Sequence, residues 1–93
     1  MTLLDDVLKI VPDAEERPSQ FHGEPALWID GREFLHAHGA GRVEIRLTAK
    51  LIRRLDEARA PARARTSDWV TVAADERDLI LDLARRAAEA NRH

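Results

Sequence analysis

Cysteine and tyrosine are both absent from this chain of 93 residues. Without cysteine there is no disulfide, no thiolate metal site and no cysteine nucleophile. Without tyrosine one of the common general acids is gone as well. Aromatic side chains amount to two Phe and two Trp, and Met occurs once. No apolar run approaches the ~20 residues that a membrane-spanning helix needs. The first residues carry Asp5 and Asp6, where a secretory signal would carry positive charge. These absences lead to the expectation of a soluble, cytoplasmic protein with no membrane contact. Hydrophobic residues make up 44%, but Ala supplies 15 of them. The core must therefore be built from Leu, Ile and Val with a few aromatics. A chain of this length buries about 60–65% of its unfolded surface, enough for one core, and a single domain over 1–93 is expected.

The net charge of -2 hides an uneven distribution. Residues 1–46 carry 5 basic and 9 acidic side chains, residues 47–65 carry 6 and 2, and residues 66–93 carry 4 and 6. The middle block is a basic patch on an acidic chain. Arg accounts for 13 of the 15 basic residues and is spread along the whole sequence. This points to composition before function.

The hydrophobic period divides the chain into elements. Leu3, Leu4, Val7, Leu8 and Val11 recur at helical spacing, so residues 1–11 read as a helix that Thr2 caps and Pro12 ends. Residues 12–47 read as a loop followed by a strand meander, with an edge strand around Glu15 to Phe21. Ala26 to Ile29 and Arg32 to His38 flank Asp30-Gly31, a strong hairpin signal. Gly39-Ala40-Gly41 makes a second turn before Arg42 to Leu47, which alternates strictly. Thr48 is placed to cap a helix over 48–59. A loop follows Pro61 through Asp68, then a strand over 69–73 headed by Trp69, which is expected to be largely buried. The last helix covers 75–90, with Asp75 as N-cap and Asp78 three residues on. The predicted fold class is α+β, an antiparallel sheet packed on helices in the order α-β-β-β-α-β-α.

Register assigns the faces. A three-residue Gly39 to Gly41 turn sets Ala37 opposite Val43, so Leu35, Ala37, Val43, Ile45 and Leu47 share the core face. Phe34, His36, His38, Glu44 and Arg46 share the other. In the first hairpin a two-residue turn would pair Leu27 with Phe34. A three-residue turn pairs Leu27 with Leu35 and sets Trp28 beside Phe34. The second keeps Leu27 in the aliphatic core and is preferred. A slip of one residue would invert the faces.

Taken together, Gly23-Glu24-Pro25, Ile29-Asp30-Gly31-Arg32-Glu33-Phe34, His36-Ala37-His38-Gly39, Val43-Glu44-Ile45-Arg46-Leu47 and Ser67-Asp68-Trp69-Val70 with its closing helix resemble the small luciferase-like domain family. More distantly the chain is similar to the MmcQ/YjbR family. The resemblance spans about residues 21–90. It implies an α+β fold of the MmcQ/YjbR-like, CyaY-like type and implies no activity. DNA binding, proposed for the MmcQ/YjbR group, carries over only as a suggestion.

The function expected from the residues is that of a small binding or interaction domain. Its site is an open sheet face carrying Trp28, Phe34, His36, His38 and Arg46, and its partner a small molecule or a protein. The chain is expected as a monomer or homodimer. One alternative is a nucleic-acid-binding protein using Lys50, Arg53, Arg54, Arg63 and Arg65, although a nucleic-acid binder should show a coherent basic stripe. A second is a small enzyme or metal-binding protein using His36 and His38. Residues i and i+2 of a strand share a face, so that pair could meet one ion, with His22 or Glu44 as a third ligand. No motif secures the third ligand, so neither metal nor cofactor is expected. Ser19 and Ser67 lie in no nucleophile-elbow pattern, and Gly39-x-Gly41 lacks the third glycine of a dinucleotide fingerprint. The residues thus point away from an enzyme, with catalytic residues none.

Overall fold

Asp30 and Gly31 are where the chain first commits to a sheet. Both adopt left-handed backbone angles, φ 50° and 79°, as a two-residue type I′ hairpin turn requires. The computed structural model describes residues 3–21, 23–37, 41–48, 62–63 and 68–92, with 62–63 as backbone. Helix α1 covers Leu3–Ile10. Strands follow at Glu15–Pro18 (β1), Pro25–Ile29 (β2), Arg32–Ala37 (β3), Arg42–Arg46 (β4), Ala62–Arg63 (β5) and Trp69–Ala73 (β6). The closing helix, α2, covers Arg77–Asn91. The strands form one sheet in the order β1-β2-β3-β4-β6-β5, every pair antiparallel. The architecture is α+β, with a sheet packed on helices, as the sequence predicts. No helix among the described residues is long and apolar enough to cross a membrane.

One face of the sheet is aliphatic and carries the core. Leu27, Ile29, Leu35, Val43, Ile45, Leu47, Val70 and Val72 are buried there with Val7 and Val11 of the α1 segment and Ile80, Leu83, Ala84, Ala87 and Ala88 of α2. The alanines on α2 let the helix backbone approach the sheet closely. Val11 N–H still bonds the Val7 carbonyl at 2.9 Å, and Pro12 then stops α1. Two ion pairs hold the helices at the rim: Arg77 to Asp6 at 3.3 Å, and Arg92 to Asp13 with two bonds of 2.9 Å.

The first hairpin combines both sequence-level alternatives. Ile29 pairs with Arg32 and Trp28 with Glu33, as a two-residue turn demands, yet Leu27 pairs with Leu35. Phe34 is the extra residue, a one-residue bulge. This overturns the placement of Phe34 on the open face beside Trp28. Phe34 is fully buried in the core cluster, and Trp28 has Glu15 and Glu33 as its cross-strand neighbours. The second hairpin keeps the expected register, Ala37 with Val43 and His36 with Glu44.

Other boundaries shift for local reasons. The loop expected after Pro61 contains β5, whose two residues extend the sheet beyond β6. Helix α2 is capped at Glu76 with no side-chain cap bond, one residue later than the Asp75 cap expected, because a turn follows β6 in which Glu76 N–H bonds the Ala73 carbonyl. Thr48 has φ 74°, not the extended backbone of an N-cap. Its N–H and that of Leu47 both bond the Asp68 carbonyl, at 3.1 and 2.9 Å. The helix expected over 48–59 otherwise lies outside the described residues, as do the Thr2 cap and the Gly39-Ala40 part of the second turn.

Candidate functional site

The second face of the sheet carries ionisable and aromatic side chains where the first carries aliphatic ones. His36 of β3 pairs with Glu44 of β4, which pairs with Thr71 of β6, so these three share a row across the sheet. Strict alternation would put Glu33 on the core face. The Phe34 bulge consumes one residue of the alternation and returns Glu33 to the side of His36. The imidazole thus meets two carboxylates: Nδ1 lies 2.7 Å from Glu33 Oε2 and Nε2 lies 2.8 Å from Glu44 Oε1. The side chains of His36 and Glu33 are 3% and 0% exposed, that of Glu44 26%.

Glu33 is the most heavily engaged group. Its Oε2 also accepts from Ser19 Oγ at 2.9 Å, and its Oε1 accepts from Gln20 N–H at 2.7 Å. Ser19 Oγ in turn accepts from Phe21 N–H at 3.1 Å. The segment after β1 is thereby fastened over the sheet. It sets the Phe21 ring 5.5 Å from His36 and 5.6 Å from Trp69, the latter edge-on, while the His36 and Trp69 rings are 4.9 Å apart. Phe21 remains 60% exposed. The face is therefore not open: a buried polar centre lies among aromatic rings, one of them reaching solvent.

An ionised carboxylate only accepts, and each imidazole nitrogen donates or accepts according to where the ring carries its protons, so both short contacts depend on the state of the His36 ring.

The remaining sequence-based candidates divide. His36 is at the centre of the site. Trp28 is half-buried on the same face, next to Glu33 in the ladder, and its buried indole N–H finds no acceptor among the described residues. Phe34 belongs to the core. Trp69, expected to be largely buried, is half-buried and packs on His36. Arg46 is engaged elsewhere. Its guanidinium bonds Asp68 at 3.2 Å and Asn91 Oδ1. Asn91, fully buried, donates to the Arg46 carbonyl at 2.9 Å and to that of Ala87 at 2.7 Å. Arg46 thus ties the end of β4 to the last turn of α2. His38, His22, Lys50, Arg53, Arg54, Arg65 and the side chain of Arg63 lie outside the described residues. Among the described residues, no group of three or more His, Cys, Asp or Glu is arranged to hold a metal ion, and both nitrogens of His36 already face carboxylates.

Glu33, Ser19 and Phe21 were missed by the alternation reading. The signal for Glu33 was an apolar pair, Phe34-Leu35, between two polar residues in a strand that otherwise alternates. That pattern accommodates an extra residue. The signal for Phe21 was a lone aromatic in a loop bounded by Pro18 and Gly23.

The model of the Luciferase domain family matches residues 31–87, from the first hairpin turn into α2. The chain belongs to that family. No curated protein and no solved structure matched, so the likeness to the MmcQ/YjbR group rests on sequence motifs alone. Within this Luciferase domain, the family match takes in Glu33, His36, Glu44 and Trp69. Ser19, Gln20 and Phe21 precede it. The polar centre thus lies inside the matched span, and the segment fastened over it lies before that span.

Proposed function

We propose that this Luciferase domain is a binding module whose site is the sheet face around His36, Phe21 and Trp69. The observation that carries the reading is a carboxylate–imidazole–carboxylate cluster held beneath an exposed phenyl ring. Burying ionised groups costs several kcal/mol per ion before pairing offsets it, and apolar replacements of similar volume are often as stable or more so. Such a cluster under a solvent-facing aromatic is better explained by recognition than by stability. The ligand class that fits is a small organic molecule with a flat apolar part to pack on Phe21 and a hydrogen-bond donor for the partly exposed Glu44 carboxylate. Both ring nitrogens of His36 face carboxylates, which leaves neither turned towards a substrate and favours binding over catalysis.

The test is a screen of the ¹⁵N-labelled protein against small aromatic amines and amides, read by amide and indole chemical shifts. Perturbations should gather at Phe21, His36, Glu44 and Trp69 and disappear in Phe21→Ala. Perturbations confined to the helices, or unchanged in that variant, would refute this assignment.

A further inference from the structure

We propose that Ser19 and Glu33 are positioning residues: together they clamp the Phe21 ring as a preformed flat wall, which selects planar aromatic ligands over saturated ones of the same size. One buried hydroxyl is the junction of the clamp. Ser19 Oγ donates to Glu33 Oε2 at 2.9 Å and accepts from Phe21 N–H at 3.1 Å. The other oxygen of the same carboxylate, Oε1, accepts from Gln20 N–H at 2.7 Å. Three successive residues are thus tied, directly or through the hydroxyl, to one buried carboxylate. The loop is also closed at its ends: Ser19 N–H bonds the Glu24 carbonyl at 2.7 Å, and Gly23 N–H bonds the Ser19 carbonyl at 3.0 Å. With the backbone held, the phenyl ring keeps only its side-chain rotations. The rings of His36 and Trp69, at 5.5 and 5.6 Å, restrict these in turn.

Stability does not account for this clamp. Phe21 is 60% exposed, so burial of its ring returns little, while taking a carboxylate out of water is costly. A fixed surface ring matters instead to a visiting molecule. Contact with a group that is already ordered avoids the entropy of ordering it at the moment of binding. A rigid wall also discriminates. A flat aromatic ligand can stack offset or edge-on against the phenyl ring, and such pairs gain more than their buried area alone. A saturated ring is thicker, has no π-system and gains apolar contact only. A mobile phenyl ring would repack around either, as adaptable surfaces do. The selectivity rests on the binding reading above. The clamp itself does not.

The clamp is tested on the ligand-free, ¹⁵N-labelled protein by amide relaxation. The Phe21 amide should be as rigid as the strands, with an order parameter of about 0.85, and should fall below about 0.6 in Ser19→Ala. Ser19→Thr keeps the hydroxyl and should restore the rigidity. A wild-type Phe21 amide as mobile as a loose loop would overturn the proposal, and that measurement decides even if Ser19→Ala folds poorly. Selectivity is tested with benzamide and cyclohexanecarboxamide, which share the amide and differ in the ring. Wild type should bind benzamide about 2- to 10-fold more tightly, the worth of one aromatic pair. The preference should shrink towards unity in Ser19→Ala, and in Phe21→Leu, which exchanges an exposed side chain without touching the core. It should return in Ser19→Thr. A preference as large in Phe21→Leu as in wild type, or undiminished in Ser19→Ala with Phe21 loosened, would overturn the selectivity. If the relaxation behaves as described but neither amide perturbs Phe21, His36 or Trp69, the clamp stands, and the binding reading fails together with the selectivity that rests on it.

Discussion

The two faces of this sheet are built from the same five long strands and differ in almost everything else. The face under the helices is aliphatic, closed and without a charged group in its core cluster. The opposite face holds a fully buried carboxylate, a buried imidazole, a second carboxylate and the two aromatic rings of Phe21 and Trp69. A single residue separates these outcomes. Without the bulge at Phe34, regular alternation through β3 would drive Glu33 into the aliphatic core and expose the Phe34 ring. With it, both the core and the polar centre are completed. A bulge is thus the device that makes one strand serve two incompatible environments.

The comparison can be broken most severely from the core side. Phe34→Ala should cost about 3–5 kcal/mol as a large-to-small core change, a large part of the ~5–15 kcal/mol available to a small domain. Urea unfolding should show a collapse in midpoint, whereas an unchanged midpoint would return Phe34 to the surface. From the polar side, Glu33→Ala leaves the imidazole, Ser19 Oγ and Gln20 N–H without their acceptor. Breaking a buried charge cluster from one side costs about 3 kcal/mol, and Glu33→Gln should cost less because it keeps an acceptor. Equal stability of the two variants would contradict the cluster as described.

Smaller effects sharpen the picture at its edges. Gly31 has φ 79°, and a Cβ there would meet nothing within 4 Å. Gly31→Ala should therefore cost only the conformational penalty, about 1–2 kcal/mol, measured by thermal unfolding. Smallest of all is the rim pair of Asp13 and Arg92. The Arg92 guanidinium, hydrogen-bonded to Asp13, holds that carboxyl below its usual value of 3.8. A depressed folded-state value contributes stability that is present above the ordinary carboxylate range and is lost as pH falls through the lowered value. Asp13→Asn should thus lower the melting temperature slightly at neutral pH, and the two proteins should converge in acid. A gap that widened in acid would reverse the sign of the argument. The effect is small because both partners are solvent-exposed.

The sequence carried much of the fold. Period-two alternation located β3, β4 and β6, Asp30-Gly31 announced its turn, and helical spacing placed α1 and α2. His36 and Trp28 were legible as residues of the second face. Phe34 and Glu33 were not, because parity counting assumes an unbroken ladder and a bulge inverts every assignment on one side of it. Arg46 was misread for a different reason. Its parity matched the second face, but its length lets it reach Asp68 and Asn91, and α2 offers that partner only after folding. Ser19 and Phe21 come from a loop with no period to read. Family membership followed from motifs spread over three strands and a helix, no one of which was decisive alone.

The central claim is that the Phe34 bulge puts Glu33 and His36 on one face and in contact. A double-mutant cycle with Glu33→Gln and His36→Gln, measured by urea unfolding of both single variants and the double variant, tests it most directly. Contact through a 2.7 Å buried bond predicts that the double variant loses less than the sum of the singles, by about 1 kcal/mol or more. Additivity within about 0.3–0.5 kcal/mol, the behaviour of sites that do not touch, would place the two side chains on opposite faces and contradict the account.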